Sequence, residues 1–181
     1  MTQSPLIVGL SIVMCVVYGV VHDQITARIC VEYFTIGHKP ILGGTEDPTV
    51  LGLAWGFLAT WWVGAMLGIP LAFVSQTGSL VKKSAKDLIH PMLVLMAGTA
   101  ALAAIAGVTC YVLTTGDMIH LAGGFEHVIA SDKQDAFLID LWIHNASYAG
   151  GFLGGAILMV WVVVDRYRQT RLPKDEVEDQ K

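Results

Sequence analysis

Charge is scarce in this sequence. Only 14% of its 181 residues are Asp, Glu, Lys or Arg, and 54% are apolar, whereas soluble domains are about a quarter charged. The shortage excludes a disordered chain and argues against a soluble globular enzyme. With a mean hydropathy of +0.60 the chain reads as a membrane protein. Cysteine is sparse as well: Cys15, Cys30 and Cys110 form an odd set with no CxxC, which supports neither a disulfide framework nor a cysteine-type zinc site. No long basic run occurs and the net charge is −4, so nucleic acid is not an expected partner. There is no internal repeat, no low-complexity segment, and no zinc, di-iron or nucleophile signature. No basic residue precedes the first apolar run, and Tyr18-Gly-Val-Val makes a poor cleavage site. That run is therefore read as an uncleaved span rather than a signal peptide.

Four apolar runs are long enough to cross a bilayer, which takes about 20 helical residues: 6–21, 50–74, 92–113 and 136–164. The expected fold is all-α, a polytopic bundle of four transmembrane helices within a single domain, 1–164, followed by a charged tail, 165–181. The first three runs contain no Asp, Glu, Lys, Arg or His, which argues against a pump or coupled transporter, since ion pathways need such groups through the membrane depth. Lys82, Lys83, Lys86, Arg166, Arg168, Arg171, Lys174 and Lys181 fall on one side; only Arg28, Lys39 and Lys133 fall on the other. The positive-inside rule puts the eight in the cytoplasm. Both termini are then cytoplasmic, as four spans also require, in a bacterial inner membrane. Overlapping GxxxG pairs at Gly150/Gly154 and Gly151/Gly155, with Gly52/Gly56 and Gly64/Gly68, predict close helix packing within the chain. Trp55 and Trp142 suit the outer interface and Trp161 the inner. Pro70 is expected to kink the second span, and His90-Pro91 to open the third.

This orientation sorts the ionisable residues. His22, His38, His120, His127 and His144 fall at the outer ends of the spans, and nine acids against three bases give that face a charge of −6. A pole rich in imidazole and carboxylate is what a cation site needs. No Gly or Pro interrupts 22–36, so the first helix is expected to run on from Leu6 to Thr35, about 45 Å, and to stop at Gly37. It would carry three stripes: Gln24, Arg28 and Glu32, with Arg28 and Glu32 paired; His22, Thr26, Ile29 and Tyr33; and Asp23, Ala27, Cys30 and Phe34. The segment HDQITARICVEYFTIGH, with TEDPT and Trp61-Trp62 beyond it, resembles small bacterial integral membrane proteins of no assigned function. That resemblance covers about a third of the chain and implies bacterial origin but no chemistry.

The fourth span opens on Asp140-Leu-Trp-Ile-His144, whose Asp and His share one helical face. The main expectation is that His22, His38, Asp140 and His144 converge on a divalent metal, with Glu32 as the catalytic base. Imidazole and carboxylate suit zinc, iron or copper, and a metal-bound water could act on a lipid or peptide bond. An alternative makes His22 and His144 the axial ligands of a haem b electron carrier. A third reading is non-catalytic: a scaffold or accessory subunit meeting the lipid bilayer and a membrane protein partner or a second copy of itself. His120, Glu126 and His127 are expected in a solvated loop, and a plain Asp140–His144 hydrogen bond without metal is the structural alternative for the fourth span.

Overall fold

The computed structural model describes residues 3–39 and 41–171, and among these there is no strand. Six α-helices follow in order: α1 (Gln3–Thr26), α2 (Val31–Thr35), α3 (Pro48–Leu58), α4 (Trp61–Gln76), α5 (Ala85–Thr115) and α6 (Gln134–Arg171). Four helical segments are long and apolar enough to cross a membrane: Gln3–Thr26, Pro48–Gln76, Ala85–Thr115 and Ser131–Arg171. The second comprises α3 and α4, joined through Ala59 and Thr60. Lys174, Lys181 and the rest of the expected charged tail beyond Arg171 lie outside the described residues. Before that point α6 runs straight through the boundary expected at Asp165.

Helix starts follow local chemistry. Asp47 caps α3, its carboxylate accepting from the N–H groups of Thr49 and Val50 at 2.8 and 3.1 Å, with Pro48 at the first helical position. Ser84 and Asp87 form a capping box that starts α5. The third span therefore does not open at His90-Pro91 as expected. The box begins the helix at Ala85 and leaves Pro91 inside it.

The continuous helix expected from Leu6 to Thr35 does not form. α1 ends at Thr26 in a tight turn in which the N–H groups of Arg28, Ile29 and Cys30 bond the carbonyls of Ile25, Thr26 and Thr26. Cys30 is extended (φ −149°, ψ 104°) and α2 starts after it. The turn buries Ala27, Cys30 and Phe34 to 0%, 2% and 2% exposure, and a fully buried large apolar side chain contributes roughly 1.5–3 kcal/mol. The expected Arg28–Glu32 pair is lost with the helix. Arg28 instead bonds the Gln24 carbonyl and side-chain oxygen and the Thr49 hydroxyl.

The helices associate as two pairs. α1 lies along α3 and α4, α5 lies along α6, and the pairs meet through weaker contacts of α4 with α6 and α1 with α5. The first pairing is glycine-mediated: a Cβ at Gly56 would stand 2.5 Å from Val20 Cα, and one at Gly64 2.6 Å from Ile12 Cα. Only bare backbone fits there. Two apolar cores lie at opposite ends. One gathers Ala27, Cys30, Phe34, Leu51 and Phe137 at the end where α1 stops; the other gathers Ile7, Leu71, Leu88, Leu158 and Val162. We call these the histidine end and the arginine end.

Candidate metal centre

At the histidine end, α1 and α6 bring His22 and Asp23 against His144. One ligand atom from each of these three lies within 4.8 Å of the others. The His22 and His144 rings meet edge to face, 4.7 Å between centroids. Asp23 reaches the group because Gly52 of α3 sits directly on its backbone; a Cβ there would be 2.8 Å from the Asp23 carbonyl oxygen.

His144 is held from the side away from Asp23. Its Nδ1 lies 2.9 Å from the Asp140 main-chain carbonyl. A carbonyl only accepts, so Nδ1 carries a proton, and Nε2 holds a lone pair in the neutral ring or a second proton in the imidazolium. That Nε2 is 3.4 Å from Asp23 Oδ1. A lone pair facing a carboxylate oxygen is repulsive unless a proton or a cation stands between them. The Asp140 carboxylate lies 3.2 Å from Nδ1 but, with the N–H aimed at the carbonyl, neither of its buried oxygens receives a hydrogen bond. His22 Nε2 is likewise buried without a partner, while its Nδ1 faces the Ser147 hydroxyl at 3.3 Å, itself 2.7 Å from the Tyr18 hydroxyl. Unpartnered buried carboxylate and imidazole atoms are costly, and several are concentrated here.

The turn after α1 completes the enclosure. α2 folds back so that Tyr33 stacks on His144, 4.2 Å between centroids, and Phe34 packs edge-on at 5.7 Å. Burial, and next the charge of Asp140, raises the Tyr33 phenol pKa above its ordinary value. Burial also pushes the Cys30 thiol up to about 12, with the Glu32 carboxylate adding to the rise.

The residues expected at the site are thus divided. His22 and His144 meet. Asp140 stands behind His144, on its Nδ1 side, and is not a member of the three-residue group. His38 donates from Nδ1 to the Tyr33 carbonyl at 2.9 Å and packs on Trp55, 4.5 Å between centroids. Glu32 accepts from the Cys30 thiol at 3.4 Å. Neither His38 nor Glu32 belongs to the group. His120 and His127 are exposed beside Asp117 and Glu126. Asp23, absent from the expected ligands, stood among nine outer acids with nothing to single it out except its place beside His22. No known protein family, curated protein or solved structure matches this chain.

Proposed function

We propose that the chain is a four-span bundle of a bacterial inner membrane, with its histidine end outside and both termini in the cytoplasm. On this reading His22, Asp23 and His144 bind one divalent metal ion at the outer face. Insertion is supported by the apolar outer surfaces: Ile157, Leu153 and Val160 of α6 are 69%, 66% and 64% exposed, as side chains facing lipid would be. The observation that carries the metal reading is the buried, unpartnered His22 Nε2 beside a His144 Nε2 that faces a carboxylate. Two imidazoles and one carboxylate are a donor set for zinc, iron or copper. Tetrahedral donors at 2.0–2.1 Å from an ion stand roughly 3.4 Å apart, so binding draws the three groups inward. Asp140 fixes the His144 tautomer through its main-chain carbonyl, and its carboxylate supports the ring from behind.

A divalent ion here would polarise an oxygen ligand in a site walled by Tyr33 and Phe34. The haem alternative fits less well, because rings 4.7 Å apart edge to face leave no slot for a macrocycle between two axial imidazoles. Elemental analysis of the purified protein tests the proposal. About one equivalent of zinc, iron or copper is expected in the wild type, with loss in His22→Ala and His144→Ala. Wild-type protein purified without chelator and holding no metal above background overturns the reading.

A further inference from the structure

Below the metal group a cavity of about 120 Å³ runs between the two helix pairs. Its walls come from α1, α4, α5 and α6. Along α6 they reach from His144 to Met159, a rise of about 22 Å at 1.5 Å per residue. That volume is the room open to the centre of a water-sized sphere, so spread over this length it leaves a partly open tube about one hydrocarbon chain wide. Beyond its lower end lies the apolar core at the arginine end, where Ile7, Leu88 and Val162 are fully buried.

The lining is strongly polarised. Tyr18, His22, Asp23, His144, Ser147 and Tyr148 are gathered at the top. Toward the bottom come Leu71, Met92, Leu95, Leu158 and Met159. The Ser11 hydroxyl in that stretch is already turned away to the Ile7 carbonyl at 3.0 Å. Methionine side chains adapt to a flexible apolar occupant without a fixed shape. One leaflet of a bilayer is about 15 Å of hydrocarbon, half of a ~30 Å core, so the tube is long enough for a lipid chain.

We propose that this tube holds a single hydrocarbon chain of a membrane amphiphile. Its methyl end lies among Met92, Leu158 and Met159, and its oxygen-bearing head lies at His22, Asp23 and His144. The inference rests on the metal reading for the role of the head and names the substrate class for that site. Carboxylate and phosphate heads share the chemistry required, namely an anionic oxygen presented to a cation.

Gly151 supplies the test. It lines the tube, and a Cβ built there meets nothing within 4 Å, so Gly151→Leu starts a side chain at the tube wall with no clash at its Cβ. The probe is a 16-carbon fatty acid with a diazirine near its methyl end and a terminal alkyne, photolysed with the full-length protein and mapped by peptide mass spectrometry. Adducts on Met92, Leu158 or Met159 are expected, with at least a tenfold fall in Gly151→Leu and unchanged metal content in that variant. Adducts confined to the outward-facing Leu153, Ile157 and Val160, adducts at Tyr18 and Tyr148 instead of the bottom, or an undiminished yield in Gly151→Leu each overturn the proposal. The two readings fail separately: bottom adducts on a metal-free wild type refute the metal and keep the chain, and a metal-loaded protein labelled only on its outer face does the reverse.

Discussion

Each end of the molecule buries charge, and the two do so in opposite ways. At the arginine end Arg166 is 2% exposed, and four of the five guanidinium N–H groups meet main-chain carbonyls. Nε donates to the Val81 carbonyl at 2.7 Å, Nη2 to Thr77 and Leu80 at 2.8 and 3.2 Å, and Nη1 to Val74. Beside it Lys83 pairs with Asp165, which also accepts from Gln169 at 3.1 Å. These are the open carbonyls at the end of α4 and in the following turn, closed by one planar fork. At the histidine end the Asp140 carboxylate and His22 Nε2 are equally buried and have no hydrogen-bond partner. Burial of charge therefore does not mark a site by itself. Among the described residues, the buried charge at the arginine end is partnered and only the Ser75 hydroxyl is left without a bond, whereas at the histidine end the partnerless atoms are a carboxylate and an imidazole nitrogen.

Mutating each end separates the two. Arg166→Ala strands four carbonyls and should lower stability by about 3–5 kcal/mol, measured by denaturant titration in micelles, while the folded fraction keeps its metal. Asp140→Asn should act with the opposite balance. Metal affinity falls about 10–100-fold, as for other supports of ligating imidazoles, while the metal-free protein loses less stability than Arg166→Ala does, because the Asp140 carboxylate accepts no hydrogen bond. A competition titration with a chelator and an unfolding curve in chelator read the two effects. Equal stability losses at both ends would erase the distinction.

Smaller effects sharpen it. Gly56→Val presses a side chain on Val20 backbone 2.5 Å from the new Cβ and should cost about 1–3 kcal/mol, whereas Gly98→Ala, where a Cβ meets nothing within 4 Å, should cost nothing measurable on the same curve. The smallest effect is chemical. With its pKa pushed from 9.0 up to about 12, Cys30 in the folded protein should react with maleimide at pH 8 roughly a thousandfold more slowly than in SDS, since only the thiolate attacks. The linkage has a definite sign: the unfolded thiol ionises first, so this contribution to stability is intact below pH 9 and fades as pH rises toward 12. Rapid labelling of Cys30 in the folded state would show that the turn after α1 is open.

The four long helices were legible because apolar runs of the required length have few other outcomes. The pairing of glycine with backbone was legible as a tendency, without its partner: Gly56 and Gly64 give no sign in sequence that they face Val20 and Ile12. The turn at the end of α1 was not legible. Nothing between His22 and Ile36 breaks a helix locally, and Ala27, Cys30 and Phe34 become buried through residues distant in sequence, among them Leu51, Cys110, Phe137 and Leu138. This is tertiary burial overriding local propensity. The same distance hid Asp23 as a neighbour of His144, and it made Lys83 and Arg166 look like ordinary cytoplasmic charges when both are buried. His22 and His144 were legible as candidates because both lie where spans end, on the face that gathers five of the six histidines.

The glycine seams of α1 with α3 and α4 have a mechanical consequence. Backbones in direct contact leave little slack, so α1, α3 and α4 are expected to behave as one slab, and α5 with α6 as the other. Compliance is then concentrated in the looser interface between the slabs, where α4 meets α6 and α1 meets α5. A small separation there widens the space between the pairs along its whole length while every helix keeps its main-chain hydrogen bonds. Entry from the side is thus a matter of spreading two stiff plates rather than unwinding any part of them.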